Sequence, residues 1–208
     1  MDVSKVPLNF REHPECEMVV RAAGFRDKLV KRRSDRDFSN RLMPSGVLEA
    51  RLEAAVTASN GANLQPRHFA IIRDPSIKKT ICPAAEEEEP KFHEARVRDE
   101  SLDALAPIGT DAQKPFLETA SAFIAILQKS EVIREDRSKS RTSYVKESVS
   151  LAIGCLIAAL HHAGLATSIH TPSPMKFLNV ILGRFSTEKP FLLLVVGFPS
   201  DNCQAPDI

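Results

Sequence analysis

The sequence predicts an α+β domain, three layers deep with a mixed central sheet, and three observations carry that expectation. In residues 144–172, YVKESVSLAIGCLIAALHHAGLATSIHTP, the apolar positions Val145, Val149, Ala152, Ile153, Leu156, Leu160 and Ala163 recur at steps of three and four. A helix buried on most sides is expected there. The run FLLLVVGF, within a strand over residues 190–198, lacks polar alternation and suits a sheet centre covered on both faces. The whole order reads helix, helix, strand, helix, long connection, strand, long helix, strand, helix, strand.

With 208 residues the chain has ample core for independent folding, and residues 1–208 read as one domain. Lys and Arg total 28 against 27 for Asp and Glu, so bulk charge draws the chain neither to nucleic acid nor to a membrane surface. Cys16, Cys82, Cys155 and Cys203 lie far apart without CxxC or Cys/His spacing, which argues against a disulfide scaffold and a structural zinc. The opening MDVSKVPLNFREHPE has no apolar run of signal-peptide type, and the central helix is too short to span a bilayer. A soluble cytoplasmic protein without a metal, a nucleic-acid partner or a membrane segment is expected.

Taken in order, Pro14 precedes a helix whose stripe is Met18, Val19, Ala22, Phe25, Leu29 and Val30, with acids early and bases late. Arg32, Arg33 and Arg36 then surround Ser34, with Asp35 beside it. Guanidinium forks bind phosphate oxygens in bidentate fashion and a hydroxyl adds a donor, so this is a candidate phosphate site. The alternative is a solvated basic helix end, the usual fate of a charge run.

Residues 45–58 form a second helix, with Val47, Leu48, Leu52, Ala55 and Val56 inward and Ser45 as its N-cap. Asn60-Gly61 and Pro66 end it, and residues 68–73, HFAIIR, follow as a strand. A glycine among small residues lets backbone N–H groups approach a flat ligand closely; a plain helix-to-strand loop is the alternative. The helix opening at Pro75 is expected to break at Pro83 and Pro90, and Glu86, Glu87, Glu88 and Glu89 read as a solvated face. Residues 96–114 lack periodicity, as in a lid or binding loop. A strand over 120–128 and a charged surface loop over 129–141 precede the central helix, which stops at Gly164. A strand over 165–169 and a helix in MKFLNVILG lead to the final strand.

Neither a nucleophile elbow, a Walker loop, a GxGxxG nor a metal-binding histidine pair is present. His161 and His162 are adjacent and point to different helix faces. His170, beside Thr171 at a strand end, either touches a ligand or packs in the core.

Resemblance adds more. RRSDR at Arg32, GAN at Gly61, QP at Gln65, EEEE at Glu86, KPFLETA at Lys114, ESVSLAIG, HHAGLATSIHTP and VGFPS stand in an order and spacing that resembles the nitroreductase-fold FMN enzymes. More narrowly, nearly the whole chain resembles the iodotyrosine deiodinase family. The resemblance implies a nitroreductase-like three-layer α/β/α sandwich, a domain-entwined homodimer and FMN at the subunit interface. It implies cofactor contacts from Arg32, Arg33, Ser34, Asp35, Arg36, Asn60, Gly61, Ile169, His170 and Thr171. The family pattern Pro-Ser-Gly-Ala reads Ser59-Asn60-Gly61-Ala62 here, and Arg67 stands where an aromatic is common.

Thr171 takes the place of the threonine that hydrogen-bonds flavin N5 and is the implied catalytic residue, since a donor there favours stepwise electron transfer. A lid over residues 86–116 would supply Glu88 for a substrate ammonium and Lys114 for its carboxylate, with Ala62 near the phenolate. Phe92 replaces the family's tyrosine, which keeps an aromatic wall and loses a hydroxyl donor. The implied reaction is FMN-dependent reductive dehalogenation of mono- and diiodotyrosine to tyrosine and halide, with NADPH as ultimate donor through a reductase. Two alternatives stand beside it: a broad NAD(P)H-dependent nitro or quinone reductase of the same fold, and a flavin-poor relative that binds or regulates.

Overall fold

The computed structural model describes residues 5–96, 114–133 and 138–205. Residues up to Arg32 form one unit and the chain from Arg33 a second. In the first unit, helix α1 (Glu15–Val30) carries Glu15 and Glu17 in its first turn and Lys28 in its last, the charge order that its dipole favours. It buries none of its residues, and Met18, Val19, Phe25 and Val30 of the expected stripe are exposed.

The second unit is built on four strands: β1 (Arg67–Ile72), β2 (Ala122–Lys129), β5 (Ala166–His170) and β6 (Glu188–Gly197). Their order across the sheet is β1-β2-β6-β5. All three pairings are antiparallel, with Ile71 opposite Ile124, Ile124 opposite Leu194 and Leu194 opposite Ile169. The parallel component of the expected mixed sheet is an isolated bridge between Ser34 and Thr167.

Helices cover both faces. Consecutive strand residues point opposite ways. Phe123, Ala125, Leu127, Leu193 and Val195 therefore share a core with Ile81, Cys82 and Ala85 of α3 (Pro75–Arg96), Phe116 and Leu117 of α4 (Phe116–Thr119) and Leu178 of α6 (Phe177–Ile181). Ile124, Ile126, Leu192, Leu194 and Val196 meet Leu48 and Ala55 of α2 (Val47–Val56) and Val149, Ile153, Leu156 and Leu160 of α5 (Val145–His162). Burial on both sides is the reason neither central strand alternates. Pro190 would forfeit a ladder bond in this position, and it falls where the β2–β6 register shifts, between Ile126 and Leu127.

The structure departs from the expectations in five places. Helix α2 starts one residue after Gly46, whose φ of 81° is left-handed, and no side chain caps it, so Ser45 is not the N-cap. Val56 of that helix is exposed rather than inward. Helix α3 runs unbroken through Pro83 and Pro90, each of which omits one backbone bond without ending the helix. In the charged stretch 129–141, β3 (Glu131–Ile133) pairs antiparallel with β4 (Lys139–Arg141). Helix α5 is buried on one side, while Leu151, Gly154 and Cys155 are exposed on the other. Gly164 does stop it, at φ 81°. The lid expected over residues 86–116 begins inside α3 and ends on α4, and residues 97–113 of it lie outside the described residues. Among the described residues, no helix is long and apolar enough to cross a membrane.

Candidate functional site

The predicted residues stand on three footings. The first is the outer edge of the sheet. The Asp35 N–H donates to the Thr167 carbonyl at 3.1 Å, which fixes Ser34 beside β5. The Ser39 N–H donates to the Phe198 carbonyl at 2.9 Å, and the Ser200 N–H to the Asp37 carbonyl at 3.0 Å. The end of the basic run and the residues after it, 35–39, are thereby tied to the sheet edge. Asp35 also accepts the Cys203 thiol at 3.7 Å. Burial, with the charges of Asp35 and Asp37, pushes that thiol's pKa up, so it stays a donor. Arg33 is exposed and Arg36 half-buried. Arg32 closes the N-terminal unit, its N–H on the Leu29 carbonyl at 3.0 Å.

Strand β5 then delivers Ile169, His170 and Thr171. His170 is buried, whereas Ile169 is 47% exposed and Thr171 is exposed at the strand exit. An apolar side chain, a hydroxyl and a basic run along one strand suit a flat ring system with a polar edge and a phosphate tail. The donor set fits FMN.

The second footing is the turn after α2. A 3-10 turn spans Gly61–Asn63, and Ala62, Asn63 and Gln65 all have positive φ, at 51°, 54° and 49°. Three such non-glycine residues store backbone strain, a recurrent mark of ligand-holding turns. Asn60 Oδ1 accepts the Gln65 N–H at 2.8 Å and so closes the turn. Gly61 sits hard against the start of α5: its N–H donates to Ser148 Oγ at 3.4 Å, and a Cβ there would stand 3.2 Å from the Ser143 carbonyl oxygen. Tyr144, itself left-handed at φ 56°, accepts Ser148 Oγ–H on its carbonyl at 2.6 Å. Ala62 is exposed at the tip.

The third footing is α3. Glu88 is half-buried on it, and Phe92 lies four residues on, its side chain outside the described residues. Lys114, 26 residues beyond Glu88 in sequence, is 5% exposed. Its N–H donates to Glu86 Oε1 at 2.8 Å, and the Cys82 thiol donates to its carbonyl at 3.9 Å. Lys114 is therefore held against the helix that carries Glu88. An acid and a cation carried on one scaffold have the charges that the two ends of an amino-acid zwitterion call for.

Three contributors escaped sequence reasoning. Glu86 read as part of a solvated acidic run, Cys82 only as one of four scattered cysteines, and Ser148 drew no reading of its own. A serine three residues after Val145 and four before Ala152, on the apolar stripe of α5, was the one signal on offer. Arg67 also finds its reason here. At 6% exposure, its Nη2 donates to the carbonyls of Val56 at 2.8 Å and Ala58 at 3.2 Å, binding the end of α2 to β1. Burial lowers its pKa from the usual arginine value.

The nitroreductase family matches residues 29–198. An iodotyrosine deiodinase from Haliscomenobacter hydrossis is 43% identical over 192 residues, covering 92% of this chain and 86% of that protein. Human iodotyrosine deiodinase 1 is 36% identical over 210 residues, covering all of this chain and 72% of its own. Among solved structures, oxidized iodotyrosine deiodinase bound to FMN and 3-iodo-L-tyrosine superposes with a TM-score of 0.75 at 29% identity, covering 85% of this chain and 90% of that one. A nitroreductase from Bacteroides thetaiotaomicron superposes at 0.63 with 16% identity and shares the fold.

Proposed function

The chain belongs to the nitroreductase family, and from that premise we propose that it is an FMN-dependent oxidoreductase that removes halide from mono- and diiodotyrosine and other halotyrosines. The observation that carries the reading is Lys114, buried against the same helix that carries Glu88. A general nitro or quinone reductase has no use for a zwitterion receptor.

Arg33, Ser34 and Arg36 would hold the FMN phosphate, with Asn60 and Gly61 contributing from the strained turn. Ile169 would lie along the ring system, and the Thr171 hydroxyl would donate to its N5. Bound and reduced, FMN supplies the two electrons of the reaction. In the net change a carbon–iodine bond gives way to carbon–hydrogen, one proton is taken up and iodide leaves. The chain's own residues fix the substrate. Glu88 would take the ammonium and Lys114 the carboxylate, and the Ala62 backbone N–H would meet the phenolate oxygen. Those contacts favour the non-aromatic keto form, which accepts electrons where the aromatic ring does not.

The proposal includes a homodimer, NADPH as ultimate donor through a reductase, and a cytoplasmic location. The homodimer is supported by two apolar stripes left exposed in the single chain: Met18, Val19 and Phe25 on α1, and Leu151, Gly154 and Cys155 on α5. Free cysteines suit a reducing compartment.

The test is a titration of FMN-reconstituted protein with diiodotyrosine, followed by flavin fluorescence. Saturable quenching by the amino acid, without quenching by iodophenol, is the expected result. Bound flavin with no response to the amino acid points to a general reductase of the same fold. Failure to bind FMN at all overturns the enzyme reading.

A further inference from the structure

Lys114 is held from both of its backbone groups. Its N–H donates to Glu86 Oε1 at 2.8 Å, and its carbonyl accepts the Leu117 N–H at 2.9 Å as well as the Cys82 thiol. Cys82 and Glu86 stand one turn apart on α3, so one helix face grips residue 114. A hydrogen bond from an N–H to a carboxylate is short and about twice as strong as a neutral one. Glu86 is thus the stronger of the two anchors. Glu88, two residues further along, takes its position from the same helix. The separation between an acid and a cation that must meet the two ends of one amino acid is therefore set by Glu86 together with the α3 backbone.

We propose that Glu86 is a positioning residue for substrate recognition, which through the Lys114 N–H fixes where the Lys114 ammonium meets the substrate carboxylate. This rests on the reading of Lys114 given above. It places Glu86 outside the solvated acidic face that its neighbours suggest. It also makes an acceptor oxygen the first requirement at position 86, with the negative charge adding strength to the bond.

The test uses the FMN-loaded protein and two ligands, 3-iodo-L-tyrosine and 3-iodotyramine, which lacks the carboxylate. Wild type must first respond saturably to iodotyrosine; bound flavin without a response overturns the functional reading itself, independently of Glu86. Given that response, Glu86→Ala is expected to raise the dissociation constant for iodotyrosine by about tenfold. It should leave FMN affinity and the weaker binding of iodotyramine unchanged. Glu86→Gln keeps an acceptor oxygen and is expected to stay within about threefold of wild type. In turnover, KM rises for Glu86→Ala while kcat changes little. If the alanine variant does not fold, Glu86→Leu, with similar reach and good helix propensity, serves the same purpose. Wild-type affinity in Glu86→Ala overturns the inference. So does an equal loss for both ligands, or a joint loss of FMN and substrate.

Discussion

The turn at residues 60–65 and the seat of Lys114 both present groups to a ligand, and they are built by opposite means. The turn is made of backbone: three left-handed non-glycine residues and one glycine pressed against the start of α5. Lys114 is seated by side chains, with Glu86 and Cys82 reaching from α3 to its backbone. Strain stored in a turn responds to adding or removing a Cβ. A seat made by hydrogen bonds responds to removing one acceptor atom far away in sequence. The two regions should therefore fail separately.

The largest expected effect is Lys114→Ala, which removes one partner of a desolvated charge pair and should cost about 2–5 kcal/mol of halotyrosine binding. FMN should remain bound, as its visible absorption will report; parallel loss of both ligands would merge the two regions into one. Arg36→Ala comes next. Losing a charge-assisted contact of about 1.5–3 kcal/mol should weaken FMN first, measured by fluorescence on reconstitution. Gly61→Ala places a Cβ 3.2 Å from a carbonyl that belongs to the backbone of α5's approach. Overpacking of that kind costs about 1–3 kcal/mol and should appear as a lowered melting temperature together with weaker FMN binding.

Smaller still is Ala62→Gly, which relieves a left-handed alanine at φ 51° and loosens the unfolded chain. The net change should be under about 1 kcal/mol in denaturant unfolding. The smallest effect belongs to Cys82, whose thiol pKa is pushed up to about 11 by burial, then by the charges of Glu86 and Glu118. Alkylation of Cys82 should lag well behind that of exposed Cys16 at pH 8. Its folded pKa lies above that of an unfolded thiol, roughly 8.5. Its contribution to stability is thus full below that pH and lost as the pH climbs toward 11.

The sequence makes the core legible because periodicity reports burial. Val149, Ile153, Leu156 and Leu160 fall on the buried side of α5 as their spacing requires. The strand FLLLVVGF lies where its lack of alternation puts it, between β2 and β5. The motif order around Arg33, Gly61 and Thr171 leads to the family that the comparisons identify. Hydrogen bonds between distant residues leave no period. Glu86 and Lys114 meet from 28 positions apart, and no pattern in the acidic run marks the one that bonds. Gly46 hides the true start of α2, because a left-handed residue before a helix looks like any turn glycine. Pro83 and Pro90 suggest breaks that the helix does not make; at Pro83, the buried Ile81, Cys82 and Ala85 beside it outweigh the omitted bond.

The place of β6 in the sheet also governs how the chain comes off the ribosome. Its residues, Glu188–Gly197, come after both of their partners in the chain, yet they pair with β2 on one side and β5 on the other. Until they emerge, β2 and β5 each present an unpaired edge, and Ala122 waits for its partner Val196. The sheet closes only once β6 has been made. A nascent chain that has passed β2 but not reached β6 therefore carries an exposed strand edge, which exposes it to aggregation and makes a stop codon between the two strands an aggregation event, not a shorter enzyme.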